Sequence, residues 1–167
     1  MKKKHSVGII LLLEFVVFAL VICINLGACN TVGFDIFPAL QYLIDTPSLL
    51  LIILMVIPAL AVSGMGRDFL RIFTVGRKNY TLRELKRTLE ATLLTQKIII
   101  CAACISMMIS FIVFLHNLEN LSAIGPNLAV AALAIFYAAC LEFFLAPLKA
   151  NVQNAIFDLM DVEDEEA

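Results

Sequence analysis

The chain has 167 residues, of which 62% are hydrophobic, with a mean hydropathy of +0.97 and a net charge of −2. This composition is too apolar for an ordinary soluble domain. No nucleophile, base and orienting group cluster along the sequence, so we expect neither an enzyme nor a cofactor or metal site. Because the charges are segregated along the chain, the small net charge says little about partners. A nucleic-acid partner is not expected.

Four apolar runs alternate with short polar segments and predict an all-α membrane protein with four transmembrane helices, since about 20 apolar residues span a bilayer. The predicted segments, in chain order, are an N-terminus at 1–6, a first span at 7–28, an outer loop at 29–47, a second span at 48–65, a helical cytoplasmic region at 66–96, a third span at 97–118, an outer turn at 119–126, a fourth span at 127–148, a helix extension at 149–160 and an acidic tail at 161–167.

The basic residues give this arrangement an orientation. All twelve Lys and Arg fall before the first run, between the second and third runs, or at Lys149. Short loops rich in Lys and Arg stay cytoplasmic, so both termini are expected inside and a multi-pass topology follows. The basic cytoplasmic region is also expected to contact anionic membrane lipids.

The first span has an alternative interpretation. Leu26-Gly27-Ala28-Cys29 follows an apolar run and resembles the cleavage site of a bacterial lipoprotein signal. The run is longer than a usual signal core and contains Glu14, which favours an uncleaved helix. The other three spans are expected under either interpretation.

The cytoplasmic region predicts two elements. Residues 67–75 place apolar side chains beside Arg67 and Arg71, which suits a short helix lying at the interface. After a turn at 76–80, Thr81-Leu82-Arg83-Glu84 has the pattern of a capping box, which starts a helix. The leucine stripe that follows predicts one helix over 82–116, about 50 Å long and therefore projecting into the cytoplasm.

Three prolines mark the membrane helices. Pro58 predicts a kink in the second span. Gly125-Pro126 predicts the turn before the fourth span, whose helix is expected to continue past Pro147 to about 160. The third and fourth spans should thus form an antiparallel hairpin of long helices. Cys101 and Cys104 have the spacing of a redox or zinc pair, but their apolar surroundings favour simple packing.

Residues 115–149 resemble the MotA/TolQ/ExbB family of proton-channel subunits. The matching stretches are Leu115-His116-Asn117-Leu118, Ile124-Gly125-Pro126-Asn127-Leu128-Ala129-Val130-Ala131, Phe136-Tyr137 and Ala146-Pro147-Leu148-Lys149. Asp45-Thr46-Pro47-Ser48 is similar to the start of that family's second span. Four spans agree with the MotA branch.

The resemblance implies a function. It implies a homo-oligomer, a pentamer in the family, around a single-span partner like MotB, ExbD or TolR in the bacterial cytoplasmic (inner) membrane. The resemblance also implies that this complex is a stator-like channel. The ion-motive force would drive it, and the ion is expected to be the proton. The channel-lining candidates are Ser106, Ser110, Ala134, Tyr137 and Glu142. Family members usually carry Thr where Ala134 stands, and the region 66–96 is too short for a flagellar rotor-gripping domain.

Glu14 and Glu142 are the acidic residues that lie deep inside predicted spans. A charge at that depth is unfavourable by several kcal/mol, so such groups usually face protein or water and often serve an ion path. The alternative for each is contact with Lys97, Lys149 or the inner interface. A non-conducting membrane scaffold remains the competing function. A small transporter would need a broken helix at mid-membrane and paired repeats, and the sequence predicts neither.

Overall fold

The computed structural model describes residues 7–28, 45–76, 78, 80–116, 118 and 121–165. These ranges are helical apart from their connecting turns and a backbone bridge between Val75 and Lys78. The helices are α1 Val7–Ala28, α2 Thr46–Val62, α3 Gly66–Leu70, α4 Leu82–His116 and α5 Leu121–Glu165, and a 3-10 turn over Arg71–Phe73 extends α3. The predicted all-α fold is confirmed. The segment 1–6 and the loop residues 29–44, including Cys29, lie outside the described residues.

Within the described residues, three helices are long and apolar enough to cross a bilayer, over Val7–Ile24, Leu82–His116 and Ile124–Asp161. Helices α2 and α3 add a fourth apolar segment that is bent by 115° at the break between them, as in a broken span or a re-entrant loop. The chain is therefore an all-α protein whose helices suit a membrane.

Helices α4 and α5 form the predicted long hairpin. Helix α4 has the bounds expected from the sequence and measures about 52 Å, while α5 measures about 67 Å. Seven of the nine buried residues of α4, all but Ala91 and Ala103, recur at alternating intervals of three and four, which is the seam spacing of a coiled coil. They are Leu85, Thr88, Thr92, Thr95, Ile99, Ala102 and Ser106. The buried residues of α5 are Ala131, Ala134, Tyr137, Ala138, Leu145, Leu148, Val152 and Ile156.

The start of α5 differs from the prediction. Gly125 and Pro126 were expected to form the outer turn, but the helix begins at Leu121 and both residues lie in its second turn. The proline ring clashes with the backbone N–H and the Cβ of the residue before it in helical geometry. Gly125 has no Cβ, which lowers the steric penalty at this dipeptide. At the other end α5 continues to Glu165, into the predicted acidic tail.

The remaining prolines do not interrupt their helices. Helix α2 is continuous through Pro58 from Thr46 to Val62, and α5 is continuous through Pro147. The sharp bend of the second apolar segment falls instead after Val62. At about 26 Å, α2 is also shorter than the predicted span 48–65 and than the hydrocarbon layer of about 30 Å.

The bend after α2 is a Schellman motif centred on Gly64. The N–H of Met65 donates to the carbonyl of Leu60 at 3.1 Å, and the N–H of Gly64 donates to the carbonyl of Ala61 at 3.1 Å. Gly64 has φ +68°, which a residue without Cβ adopts at no steric cost. This motif ends α2 and directs the chain into α3.

Helix α3 lies against the start of α4. Its inner face buries Asp68, Ile72 and Val75, whereas Leu70 is 63% exposed and Phe73 is 41% exposed. The exposed apolar side chains suit the predicted position at a membrane interface. The predicted turn follows at Gly76, with φ +94°.

The predicted capping box starts α4. The N–H of Thr81 donates to Glu84 Oε2 at 3.1 Å, and the N–H of Glu84 donates to Thr81 Oγ1 at 3.4 Å. Each bond satisfies an amide that has no partner within the helix, which fixes the first turn of α4.

Candidate functional site: a polar column beside the helix seam

Helix α2 begins beside the middle of α5 rather than at its outer end. The N–H of Asp45, the N-cap of α2, donates to the hydroxyl of Tyr137. Tyr137 lies sixteen residues after the start of α5, which places it about 24 Å along that helix. The N-terminus of α2 is therefore at mid-height of the predicted fourth span. The sequence analysis predicted no helix end at that depth.

Two polar side chains at the N-terminus of α2 lie at about the same depth as Tyr137. Asp45 accepts a hydrogen bond from the N–H of Ser48 at 3.2 Å, as a helix N-cap does. The Ser48 side chain is 2% exposed, and its Oγ has no hydrogen-bond partner among the described residues. Tyr137, Asp45 and Ser48 therefore form a polar level within an otherwise apolar bundle.

The next polar level joins α4 to α5. The Gln96 side-chain amide donates to Glu142 Oε2 at 2.6 Å. Glu142 is partly buried, and its Oε1 is buried without a partner within the described part of the chain. It lies five residues beyond Tyr137, or about 7.5 Å further towards the end of α5 that carries Lys149. This carboxyl group therefore has one oxygen without a described hydrogen-bond partner at the α4–α5 contact.

Glu14 approaches the same region from α1. It is 8% exposed, and its Oε2 is buried without a partner in the described structure. Glu14 lies one turn before Phe18, whose ring packs on Phe143 and Phe144 with centroids 6.3 and 5.5 Å apart. Glu142 directly precedes Phe143, so both carboxyl groups flank one aromatic cluster. No ion pair of either with Lys97 or Lys149 occurs among the described residues.

Three threonines continue the polar groups along α4. Thr88, Thr92 and Thr95 are buried in the seam, and each hydroxyl donates to the carbonyl four residues earlier at 2.8 to 2.9 Å. A hydroxyl that donates in this way still has lone pairs that can accept a hydrogen bond. Asn151 of α5 has a buried amide nitrogen without a partner within the described ranges.

These groups lie in sequence along the hairpin, and we call them the polar column. Its members are Asp45, Ser48, Thr88, Thr92, Thr95, Gln96, Tyr137, Glu142 and Asn151. Because Gln96 pairs with Glu142 and the helices are antiparallel, Thr92 and Thr88 lie progressively nearer the level of Asn151. The column runs from the start of α2 to the basic region around α3, with Glu14 at its side. Within this column, the hydrogen bonds described between different helices or their caps join Asp45 to Tyr137 and Gln96 to Glu142.

The predicted channel-lining residues have different environments. Ser106 and Tyr137 are buried and Ala134 is fully buried, all within a single chain. Ser110 and Glu142 are partly buried. The structure thus brings Tyr137 and Glu142 into the polar column and places Ser106 and Ser110 on α4 nearer its outer end, beyond the Asp45–Tyr137 level. Cys101 and Cys104 are exposed, and no metal-binding group of three ligands occurs among the described residues.

Sequence reasoning missed Gln96, Asn151 and the three threonines. The predicted leucine stripe at Leu82, Leu85, Leu89 and Leu93 shares only Leu85 with the buried seam of α4. The available signal was the regular interval of three and four from Leu85 through Thr88, Thr92 and Thr95 to Ile99. Threonine can occupy such seam positions because its hydroxyl bonds back to its own helix.

Comparison with known proteins gives no relative. No protein-family model matches the chain, and neither a curated protein nor a solved structure matches it.

Proposed function

We propose that this chain is a subunit of a proton-driven channel complex of the MotA/TolQ/ExbB type in the bacterial cytoplasmic membrane. In this proposal four spans place both termini in the cytoplasm, with α2 reaching the cytoplasmic surface and α3 lying along that surface. Several copies, five by resemblance to the family, surround a single-span partner protein. The positive residues between α2 and α4 support the orientation.

The observation that carries the proposal is the environment of Glu142. One of its oxygens is held by Gln96, while the other is buried and unpartnered between two apolar helices. A carboxyl group in such a place is unfavourable for packing alone, because its second oxygen gains no hydrogen bond. A protonation site explains why an acid stands there, since protonation removes the charge and supplies a donor.

The polar column extends this site in both directions. Tyr137 and Asp45 lie about 7.5 Å towards the outer end, and Asn151 lies about 13 Å towards the inner end. Glu14 supplies a second carboxyl group from α1 beside the same aromatic cluster. A partner helix that carries an acidic residue would deliver protons to this column in the proposed mechanism.

One observation favours a non-conducting scaffold instead. Ser106, Ala134 and Tyr137 are all buried inside one chain, so their side chains are not free to face a partner helix. In that case the long hairpin would hold other membrane proteins, and the column would be structural.

Proton flux distinguishes the two functions. The tagged chain is purified with the single-span protein that accompanies it and reconstituted in proteoliposomes that contain a pH-sensitive dye. We expect flux from the complex, and a loss of at least roughly tenfold on Glu142→Gln. Glu90→Gln is the matched control, because Glu90 is exposed on the same hairpin. Absent flux from the wild-type complex would establish the scaffold. Equal flux from both variants would show conduction that does not use Glu142 and would overturn the proposed protonation site.

A further inference from the structure

A cleft with an excess of positive charge lies where α2, α3 and α4 meet. It has a volume of about 460 Å³ and is lined by Arg67, Asp68, Arg71, Arg83, Glu84 and Arg87, with Gly64 at its edge. Four guanidinium groups and two carboxylates give this cleft a formal charge of +2. Small-molecule sites in proteins commonly have volumes of roughly 300–1,000 Å³, so a headgroup-sized ligand fits.

The two carboxylates are already engaged. Asp68 is buried and pairs with Arg71 at 2.7 Å and with Arg87 at 3.2 Å. Glu84 accepts from the N–H of Thr81 in the capping box and approaches Arg71 at 3.4 Å. These contacts pair Arg71 and Arg87 with carboxylates that line the same cleft. They also neutralise two of its four positive charges.

Arg67 and Arg83 supply the remaining charge. Both side chains line the cleft, and no ion pair is described for either within the ranges that the structure covers. A guanidinium group offers a planar fork of donors that matches phosphate oxygens. Two such groups beside a preformed cleft are suited to a phosphate group.

The position of the cleft favours a lipid phosphate over a soluble one. The cleft opens at the end of the apolar helix α2, where Gly64 turns the chain. Beside it, α3 exposes Leu70 and Phe73, which can contact acyl chains while the cleft receives the headgroup. Basic pockets next to membrane helices on the cytoplasmic side bind anionic headgroups in this way.

We infer that this cleft is a specific binding site for the phosphate of an anionic phospholipid, with Arg67 and Arg83 as the phosphate ligands and Asp68 as the residue that positions Arg71 and Arg87. The site requires only that α2 reaches the membrane surface, and it does not depend on proton conduction. Its function would be to fix the bend between α2 and α3 at the interface.

The test measures the apparent affinity for phosphatidylglycerol in neutral detergent micelles, from the rise in Tm on lipid addition. Phosphatidylcholine and inorganic phosphate are the comparison ligands. The double variant Arg67→Gln/Arg83→Gln should bind phosphatidylglycerol at least roughly tenfold more weakly. The double variant Lys78→Gln/Lys86→Gln removes the same charge from exposed positions outside the cleft and should lose less than about threefold.

A third variant separates a headgroup contact from general attraction. Arg67→Lys/Arg83→Lys keeps the charge but removes the planar forks, so it should also weaken phosphatidylglycerol binding. Equal losses in the lysine-to-glutamine control, or no preference for phosphatidylglycerol over phosphatidylcholine, would overturn the site. An equal Tm rise with inorganic phosphate would assign the cleft to a soluble phosphate and overturn the lipid assignment.

Discussion

The side-chain amide of Gln96 reaches across the hairpin and donates a 2.6 Å hydrogen bond to Glu142 Oε2. These residues are 46 positions apart in the chain, and their contact fixes the register of α4 against α5. It also leaves the second oxygen of Glu142 buried without a partner in the described structure. The same pair therefore has a structural role and creates the proposed protonation site.

Gln96→Leu should destabilise the hairpin by about 1–3 kcal/mol, because it leaves the Glu142 carboxyl group without its described partner. Glu142→Leu should have a similar effect, since Gln96 then loses its acceptor. The double variant Gln96→Leu/Glu142→Leu removes both polar groups and should recover most of the loss. Thermal unfolding in detergent gives the three free energies. Additive losses in the double variant would show that the two side chains are not coupled.

Gly64→Ala should destabilise the protein by about 1–2 kcal/mol, because an alanine is strained at φ +68°. A Cβ at this position would meet no atom within 4 Å, so the loss is conformational and not a clash. Gly66→Ala is the matched control two residues later, where a Cβ makes an ordinary contact with the Leu60 carbonyl at 3.9 Å. It should be neutral or slightly stabilising. Equal effects on the unfolding free energy would contradict the Schellman geometry.

Thr92→Leu should destabilise the hairpin by about 1–3 kcal/mol, because Thr92 is fully buried in the seam and a longer side chain overpacks it. Thr92→Val keeps the shape and removes only the hydroxyl that bonds to the Thr88 carbonyl at 2.8 Å. Its effect should stay within about 1 kcal/mol. Tolerance of leucine at this position would mean that α4 and α5 are not packed along these residues.

The stability of the first turn of α4 should decrease at acid pH, because Glu84 becomes protonated. The N–H of Thr81 holds the pKa of the Glu84 carboxyl below its ordinary value of 4.5, with further help from the Thr81 hydroxyl and from Arg71. The folded state therefore favours the ionised form, and this stabilisation is fully present above pH 4.5. It is lost as the pH falls below 4.5 and through the folded-state pKa.

The measurement compares Tm between neutral and acid pH for Glu84→Gln and the wild type. The difference between them should shrink as the pH falls below 4.5, because the substituted glutamine does not titrate. Glu90→Gln, on the exposed surface of the same helix, should keep the acid slope of the wild type. A constant difference between Glu84→Gln and the wild type would show that the capping carboxylate does not couple to folding.

Local patterns were enough to predict several elements. The capping box at Thr81 and the apolar run after it predicted a helix over 82–116, and α4 has these bounds. Such signals lie within a few residues of the element that they control. The turn predicted at Gly125-Pro126 was wrong, because a pair that is common in turns is also tolerated inside a membrane helix.

Other features depend on partners far apart in the chain. The depth of α2 is set by the bond between Asp45 and Tyr137, which are 92 positions apart. The burial of Asp68 depends on Arg87, which follows an intervening turn. No local pattern specifies either pairing. From the sequence, only Tyr137 and Glu142 of the polar column, and Glu14 beside it, were therefore predicted as functional residues.

The proposed function requires that Glu142 take up a proton inside the seam. Infrared difference spectroscopy of the reconstituted complex, with and without an inward proton gradient, measures this directly through the carbonyl band of a protonated carboxylic acid. The account predicts a gradient-dependent band that disappears in Glu142→Gln and persists in Glu90→Gln. Identical spectra for the wild type and Glu142→Gln at every pH would contradict it.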